Sequence, residues 1–176
     1  ALFLWVNKKC RFQKRHYDYL LSKHFSEKAA KAFVDVNEIK SNEGIYSEEY
    51  KKATEYFYNQ HLVRKELLNA EQLALIEINK PKFNNHAYLA MWGPSEFHAT
   101  GNLLDYDRYE DLARINILCL FLCGEFDEAT PKTVRRFHQK TPGSEFNVFA
   151  ECSHMAYFEN SLEYTKILSN FINSTK

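Results

Sequence analysis

Neither sign of charge is in excess in this 176-residue chain, where 23 lysines and arginines balance 23 aspartates and glutamates. No net field therefore draws it to nucleic acid or to an anionic membrane surface. The basic cluster NKKCRFQKRH, residues 7–16, is a local exception, and a solvated helix face or loop accounts for it more simply than a binding patch. Long hydrophobic runs are absent too, and those present are too short to cross a bilayer. The opening ALFLWV lacks the basic leader, the length and the small-residue cleavage site of a secretory signal, so a cytoplasmic location is expected. Cysteine is sparse and scattered, at Cys10, Cys119, Cys123 and Cys152, which suits reduced thiols rather than a disulfide framework. Cys119 and Cys123 lie four apart in a probable strand, a spacing that does not bring two sulfurs to one tetrahedral centre, so no metal is expected. There is no internal repeat and no low-complexity linker, and the length suits one substantial domain or part of a larger one.

What is there divides into two grammars. The first hundred residues read as helices. Ser26 caps EKAAKAFVDVNE, and Ser47 caps EEYKKATEYFYNQHL, with Tyr50, Ala53, Phe57, Tyr58 and His61 on one stripe. KELLNAEQLALIEIN continues as a helix with Leu67, Leu68, Leu75 and Ile78 in phase, ending near Pro81. After residue 114 strands and helices alternate. Ile115 to Leu122 is apolar on both faces, as in a strand buried in a parallel sheet. Thr130-Pro131 makes an N-cap and first-turn pair for the helix PKTVRRFHQK. EFNVFA is a second strand, and SLEYTKILSNFIN a closing helix with Tyr164, Leu168, Phe171 and Ile172 inward. Strand, helix, strand, helix implies parallel pairing through right-handed crossovers, with ligand chemistry at the carboxyl ends of the strands.

Two residues stand at those ends. Asp127 follows the first late strand in CGEFDEATP, and His154 follows the second in ECSHMAYFEN. A histidine takes a proton from a nucleophile and returns it to a leaving group, while a carboxylate on its other ring nitrogen fixes the tautomer. Taken singly, the plainer reading is the better one for each: Asp127 as a polar loop residue ahead of a helix, and His154 as a surface histidine. Their joint placement gives the catalytic reading its weight.

The phrases MWGPSEFHATGNLLDYDR, LFLCGEFDEATP and VFAECSHM, in that order and at those intervals, resemble the proline iminopeptidase family of α/β-hydrolases, closest to the branch of the tricorn-interacting aminopeptidases. The resemblance runs from about Ser47 to the end and is weaker through the first helices. It implies an α/β-hydrolase fold, here the C-terminal part of the parallel sheet with an inserted helical cap. Residues 1–7 would be the remnant of a core strand, 8–106 the cap and 107–176 the C-terminal part of the core. It implies triad roles for Asp127 and His154. Glu96 and Glu128 would hold the ammonium of a short peptide with a free N-terminus, since charge-assisted hydrogen bonds gain strength away from water. Trp92, Phe97 and Tyr88 would wall the pyrrolidine ring. No cofactor is implied. The plainer readings are a cap-surface residue for Glu96, a first-turn acid favoured by the helix dipole for Glu128, and core aromatics for the walls.

The chain departs from that family in one large respect: it contains no G-x-S-x-G nucleophile elbow. Ser95 lies in the cap phrase and Ser144 in a turn, and neither has the flanking glycines. The resemblance therefore places the serine, its oxyanion donors and most of the sheet before residue 1, as a part that this portion requires. A sheet so shortened would expose an edge and apolar surface, so poor solubility of these residues alone is expected. RKELLNAEQLALIEINKPKFNNHAY lacks an aromatic- and proline-rich phrase common in relatives, and Met155-Ala156-Tyr157 replaces a more usual Pro-His pair. Two other readings stay open: an esterase or amidase of the same fold, and a non-catalytic product of a truncated gene.

Overall fold

The computed structural model describes residues 48–94 and 100–174. The strand remnant, the basic cluster, the helix after Ser26, the Ser47 cap, Glu96 and Phe97 lie outside the described residues. Those described fall into two compact units, residues 48–57 with 76–94 and 100–107, and residues 58–75 with 108–174. No described helix is long and apolar enough to cross a membrane.

Helix α1, Glu48–His61, starts in the first unit and ends in the second. Its buried residues Tyr50, Thr54, Phe57 and His61 recur at the three-to-four spacing of one helical stripe, and Ala53 is only half-buried. The remainder of the first unit carries the end of helix α2, Ala70–Asn79, and then α3, Asn85–Met91, whose Asn84 cap accepts the N–H of Ala87. The chain then doubles back, with the N–H groups of Gly101 and Leu103 donating to the carbonyls of Trp92 and Met91.

The single helix expected across 65–79 is instead two pieces, a 3-10 turn at Lys65–Leu67 and helix α2 at Ala70–Asn79. Asn69 separates them. Its side chain accepts from the N–H of Gln72 while the Gln72 side chain accepts from the N–H of Asn69, a reciprocal cap that starts a new helix. Of the expected stripe only Leu68 is buried, and Leu67, Leu75 and Ile78 are exposed. Pro81 sits in a further 3-10 turn, Lys80–Lys82, after α2 has ended at Asn79.

The second unit holds a parallel pair, β1 Leu120–Gly124 and β2 Glu145–Phe149, in register from Leu120 opposite Glu145 to Gly124 opposite Phe149. Helix α4, Pro131–Lys140, crosses between them and packs on both. Thr130 accepts the N–H of Thr133, and Pro131 fills the first turn, where no N–H is needed. Strand β1 begins five residues later than the apolar run suggested. Ile117 and Leu118 precede it at 70% and 59% exposure, and the ladder to β2 opens only at Glu145, whose N–H donates to Cys119. Helix α5, Ala156–Glu159, leads into α6, Ser161–Ser174. The inward stripe of α6 is Tyr164, Ile167 and Phe171, whereas Leu168 and Ile172 are exposed. Tyr164 and Ile167 pack with Leu122 on the cluster Phe149, Cys152 and Ala156. The Phe149 and Tyr164 rings stack at 5.3 Å. This cluster fixes where β2 ends relative to the closing helix.

The carboxyl ends of the two strands approach more closely than side chains allow. A Cβ on Gly124 would stand 2.2 Å from the Ser153 carbonyl oxygen and 2.3 Å from that of Cys152. Gly124→Ala should therefore lower stability by about 1–3 kcal/mol or more, since backbone must move to admit the methyl. Gly143→Ala meets nothing within 4 Å and suffers only its φ of 66°, so about 1 kcal/mol is expected there. Urea melts of both variants in the natural polypeptide check this, and equal losses would contradict the close approach.

Candidate active site

Beyond Gly124 the chain turns at Glu125-Phe126 and presents Asp127. The turn is stitched to the end of β2, with the N–H of Glu125 donating to Phe149 at 2.9 Å and that of Phe126 to Cys152 at 2.9 Å. The Asp127 carboxylate folds back on its own loop. Its Oδ1 accepts from Ala129 N–H at 2.8 Å and its Oδ2 from Gly124 N–H at 3.4 Å. Local bonds of this kind are what make aspartate a loop former between strand and helix.

The loop after β2 is held more elaborately. Glu151 has a φ of 57°, a left-handed conformation uncommon outside glycine. Its N–H donates to the Glu125 side chain at 3.1 Å, and its carbonyl accepts from the Arg64 guanidinium at 2.8 Å. Ser153 is fully buried and gives both its N–H and its hydroxyl to Glu159, which also accepts Arg64 N–H at 2.6 Å. Held there, His154 directs Nδ1 at Asp127 Oδ1, 2.9 Å away. The Asp127 side chain is 4% exposed and that of His154 16%. The carboxylate can only accept, so Nδ1 carries the proton and Nε2 the basic lone pair. The arrangement can move a proton at Nε2 and stabilise the imidazolium that results.

His61, the last residue of α1, ties the two loops together. Its carbonyl accepts from Glu128 N–H at 3.3 Å and from His154 N–H at 3.1 Å, and the next carbonyl, Leu62, accepts from Met155 N–H at 3.1 Å. Its ring Nδ1 lies 2.8 Å from the Phe126 carbonyl, an acceptor, so this nitrogen is the donor. Burial pushes the ring down to about 4, with the Arg64 charge adding to the effect and the Phe126 bond opposing it. His61 is thus neutral at pH 7. The Arg64 guanidinium lies 4.6 Å from the Phe126 ring centre and closes the outside of the same loop. The apolar stripe of α1 carried the one signal for His61, a titratable residue in phase with buried aromatics.

Of the residues singled out from the sequence, the structure brings Asp127 and His154 together and places Glu128 beside them, half-buried. Glu128 is not a first-turn acid: it lies two residues before the Thr130 cap, outside α4. Trp92 belongs to the other unit, half-buried at the end of α3, where its N–H donates to Tyr88 at 2.8 Å. Ser144 does meet a histidine, His138 Nδ1, at 2.8 Å, but at the amino end of β2. Its hydroxyl faces the carbonyls of His138 and Thr141, the work of a helix end. Burial raises the thiol of Cys123 to about 12, with the Asp127 charge adding to it, and that of Cys152 to about 11, so neither supplies a thiolate at neutral pH. Among the described residues no group of three or more His, Cys, Asp or Glu side chains could hold a metal ion.

No family model matches the chain. It is 38% identical over 141 residues to a proline iminopeptidase of Heyndrickxia coagulans, covering 79% of this chain and 47% of that protein. It is 38% identical over 124 residues to a proline iminopeptidase of Thermoplasma volcanium, covering 70% and 41% respectively. The crystal structure of proline iminopeptidase from Mycobacterium smegmatis superposes with a TM-score of 0.71 at 25% identity, over 93% of this chain and 53% of that one. The chain spans about half the length of the curated relatives it matches.

The buried, neutral His61 gives a pH dependence with a defined sign. Between about pH 6.5 and about 4 the unfolded state binds the proton that the folded state refuses, so stability falls as pH drops through that window and is complete above it. His61→Asn removes the titration. The difference in unfolding free energy between parent and variant, from urea melts at successive pH values, should shrink by up to ~3 kcal/mol from pH 7 to pH 4. A difference independent of pH would refute the burial of a neutral ring.

Proposed function

Homologous over most of its length to proline iminopeptidases, and built as a partial α/β-hydrolase fold, this chain is, we propose, the cap and C-terminal portion of a serine aminopeptidase that releases N-terminal proline or another N-terminal residue from short peptides. The observation that carries the reading is the 2.9 Å contact between His154 Nδ1 and Asp127 Oδ1 at the carboxyl ends of neighbouring parallel strands. That is where such sheets do their chemistry, and Asp before His is the order in which this fold supplies the pair.

In this mechanism a serine supplied by polypeptide outside these residues attacks the scissile carbonyl. His154 Nε2 takes its proton and then delivers it to the leaving amine. Asp127 keeps Nδ1 protonated and offsets the charge of the imidazolium. Glu96 and Glu128, by the family resemblance, receive the substrate ammonium, and Trp92 contributes an apolar wall. A free amine so recognised confines cleavage to the first residue, because a peptide bond further along the chain has no cationic nitrogen at that distance. Residues 8–106 serve as the cap and 107–176 as core. The reaction takes no metal or organic cofactor, and the reduced thiols suit the cytoplasm.

Three measurements test the reading. Residues 1–176 alone should not hydrolyse proline arylamides, whereas the natural polypeptide extended to an in-frame G-x-S-x-G should. In that polypeptide Asp127→Ala or His154→Ala should lower kcat by roughly 10³-fold or more. Turnover that survives both substitutions would overturn the assignment. Glu128→Gln should raise KM for free-amine substrates while sparing a small acyl ester, and equal effects on both would favour an esterase.

A further inference from the structure

The two halves of the proposed acid–base pair come from loops separated by α4 and β2, and they are not bonded only to each other. Three polar groups around the pair end on one residue of another element. His61 N–H donation from the ring takes the carbonyl of Phe126, and the His61 carbonyl takes the N–H of Glu128 and that of His154. Phe126 and Glu128 are the residues on either side of Asp127. The Asp127 loop is thus gripped before and after its carboxylate, and the grip extends to the backbone of its histidine partner. His61 is 2% exposed, so these bonds do not compete with bulk water.

We infer that His61 is a positioning residue for the Asp127–His154 pair, setting the separation of the two loops through its ring and its carbonyl. The inference rests on the reading of that pair as the acid–base partners of a hydrolase. The ring is suited to the task in a way an apolar residue of equal size is not. A buried carbonyl left without a donor is costly, so losing the ring would release Phe126 to seek another partner and carry Asp127 with it. Displacements of about 1 Å at a catalytic group can cost roughly 100-fold in rate. Arg64, three residues on, reinforces the same loops from outside through Glu151 and the Phe126 ring, while His61 reaches both loops from within.

The test compares His61→Leu, which keeps bulk and loses the donor, with His61→Asn, whose amide nitrogen can stand in for Nδ1. Both are made in the natural polypeptide, with proline arylamide as substrate. Two readouts separate positioning from mere stability: the division of the loss between kcat and KM, and the far-downfield proton resonance of His154 Nδ1–H in its bond to a carboxylate. The leucine variant should lose roughly 10- to 100-fold in kcat with KM little changed, and the resonance should broaden or shift upfield. The asparagine variant should recover most of both. Unchanged kcat and an unchanged resonance in a folded leucine variant would overturn the inference while leaving the proposed function intact. Absence of the resonance in the parent, with activity surviving Asp127→Ala, would strike the proposed function itself. Should the leucine variant fail to fold, amide exchange in the parent decides: the N–H groups of Glu128 and His154 should open with the same free energy. Openings more than about tenfold apart would show two independent loops.

Discussion

Everything at the candidate site depends on how closely two pieces of backbone meet. Where β1 ends, Gly124 lies against the carbonyls of Cys152 and Ser153 with no room for a Cβ. That approach lets the turn after β1 bond to the end of β2, through Glu125 to Phe149 and Phe126 to Cys152. It also places Asp127 within hydrogen-bonding range of His154 without either side chain having to reach. A short, buried, charge-assisted bond between rigid loops has little conformational entropy left to lose. Fixing of this kind holds the imidazole against the carboxylate without flexible reach.

The fixing is layered, and the layers differ in chemistry. The sheet provides register. The cluster of Phe149, Cys152 and Ala156 against Tyr164 and Ile167 provides dispersion and area. Glu159, accepting from Ser153 twice and from Arg64, provides charge-assisted anchoring to the residue just before the histidine. The end of α1 provides the His61 carbonyl, which accepts from both loops. None of the contacts just named involves His154 Nε2. Together they over-determine a loop that contains a residue of positive φ, Glu151, the setting in which backbone strain persists in a folded protein.

The parts legible in the sequence were those whose causes are local. Thr130-Pro131 announces α4 because an N-cap oxygen and a proline act within one turn. The alternation of apolar strand and amphipathic helix announces a parallel sheet, and from it the neighbourhood of Asp127 and His154 follows. The illegible parts have distant causes. The start of β1 is set by where β2 can pair, so Ile117 and Leu118 look like strand and lie ahead of it. The break at Asn69 was local and readable, but an apolar periodicity running through it masked the reciprocal cap. Gly124 and His61 matter through chain segments dozens of residues away, and a single glycine or histidine does not reveal which backbone it meets.

The carbonyl of His61 belongs to the main chain, and this changes what kind of alteration the site can absorb. Any amino acid at position 61 would still offer that oxygen, so side-chain drift there leaves half of the anchor standing. Length is a different matter. One residue added or deleted between His61 and Arg64, both in the second unit, would put this oxygen out of step with the guanidinium that braces the same loops from outside. What the fold must keep is the path of the backbone through residues 61 and 62, whose carbonyls accept from His154 and Met155 in turn.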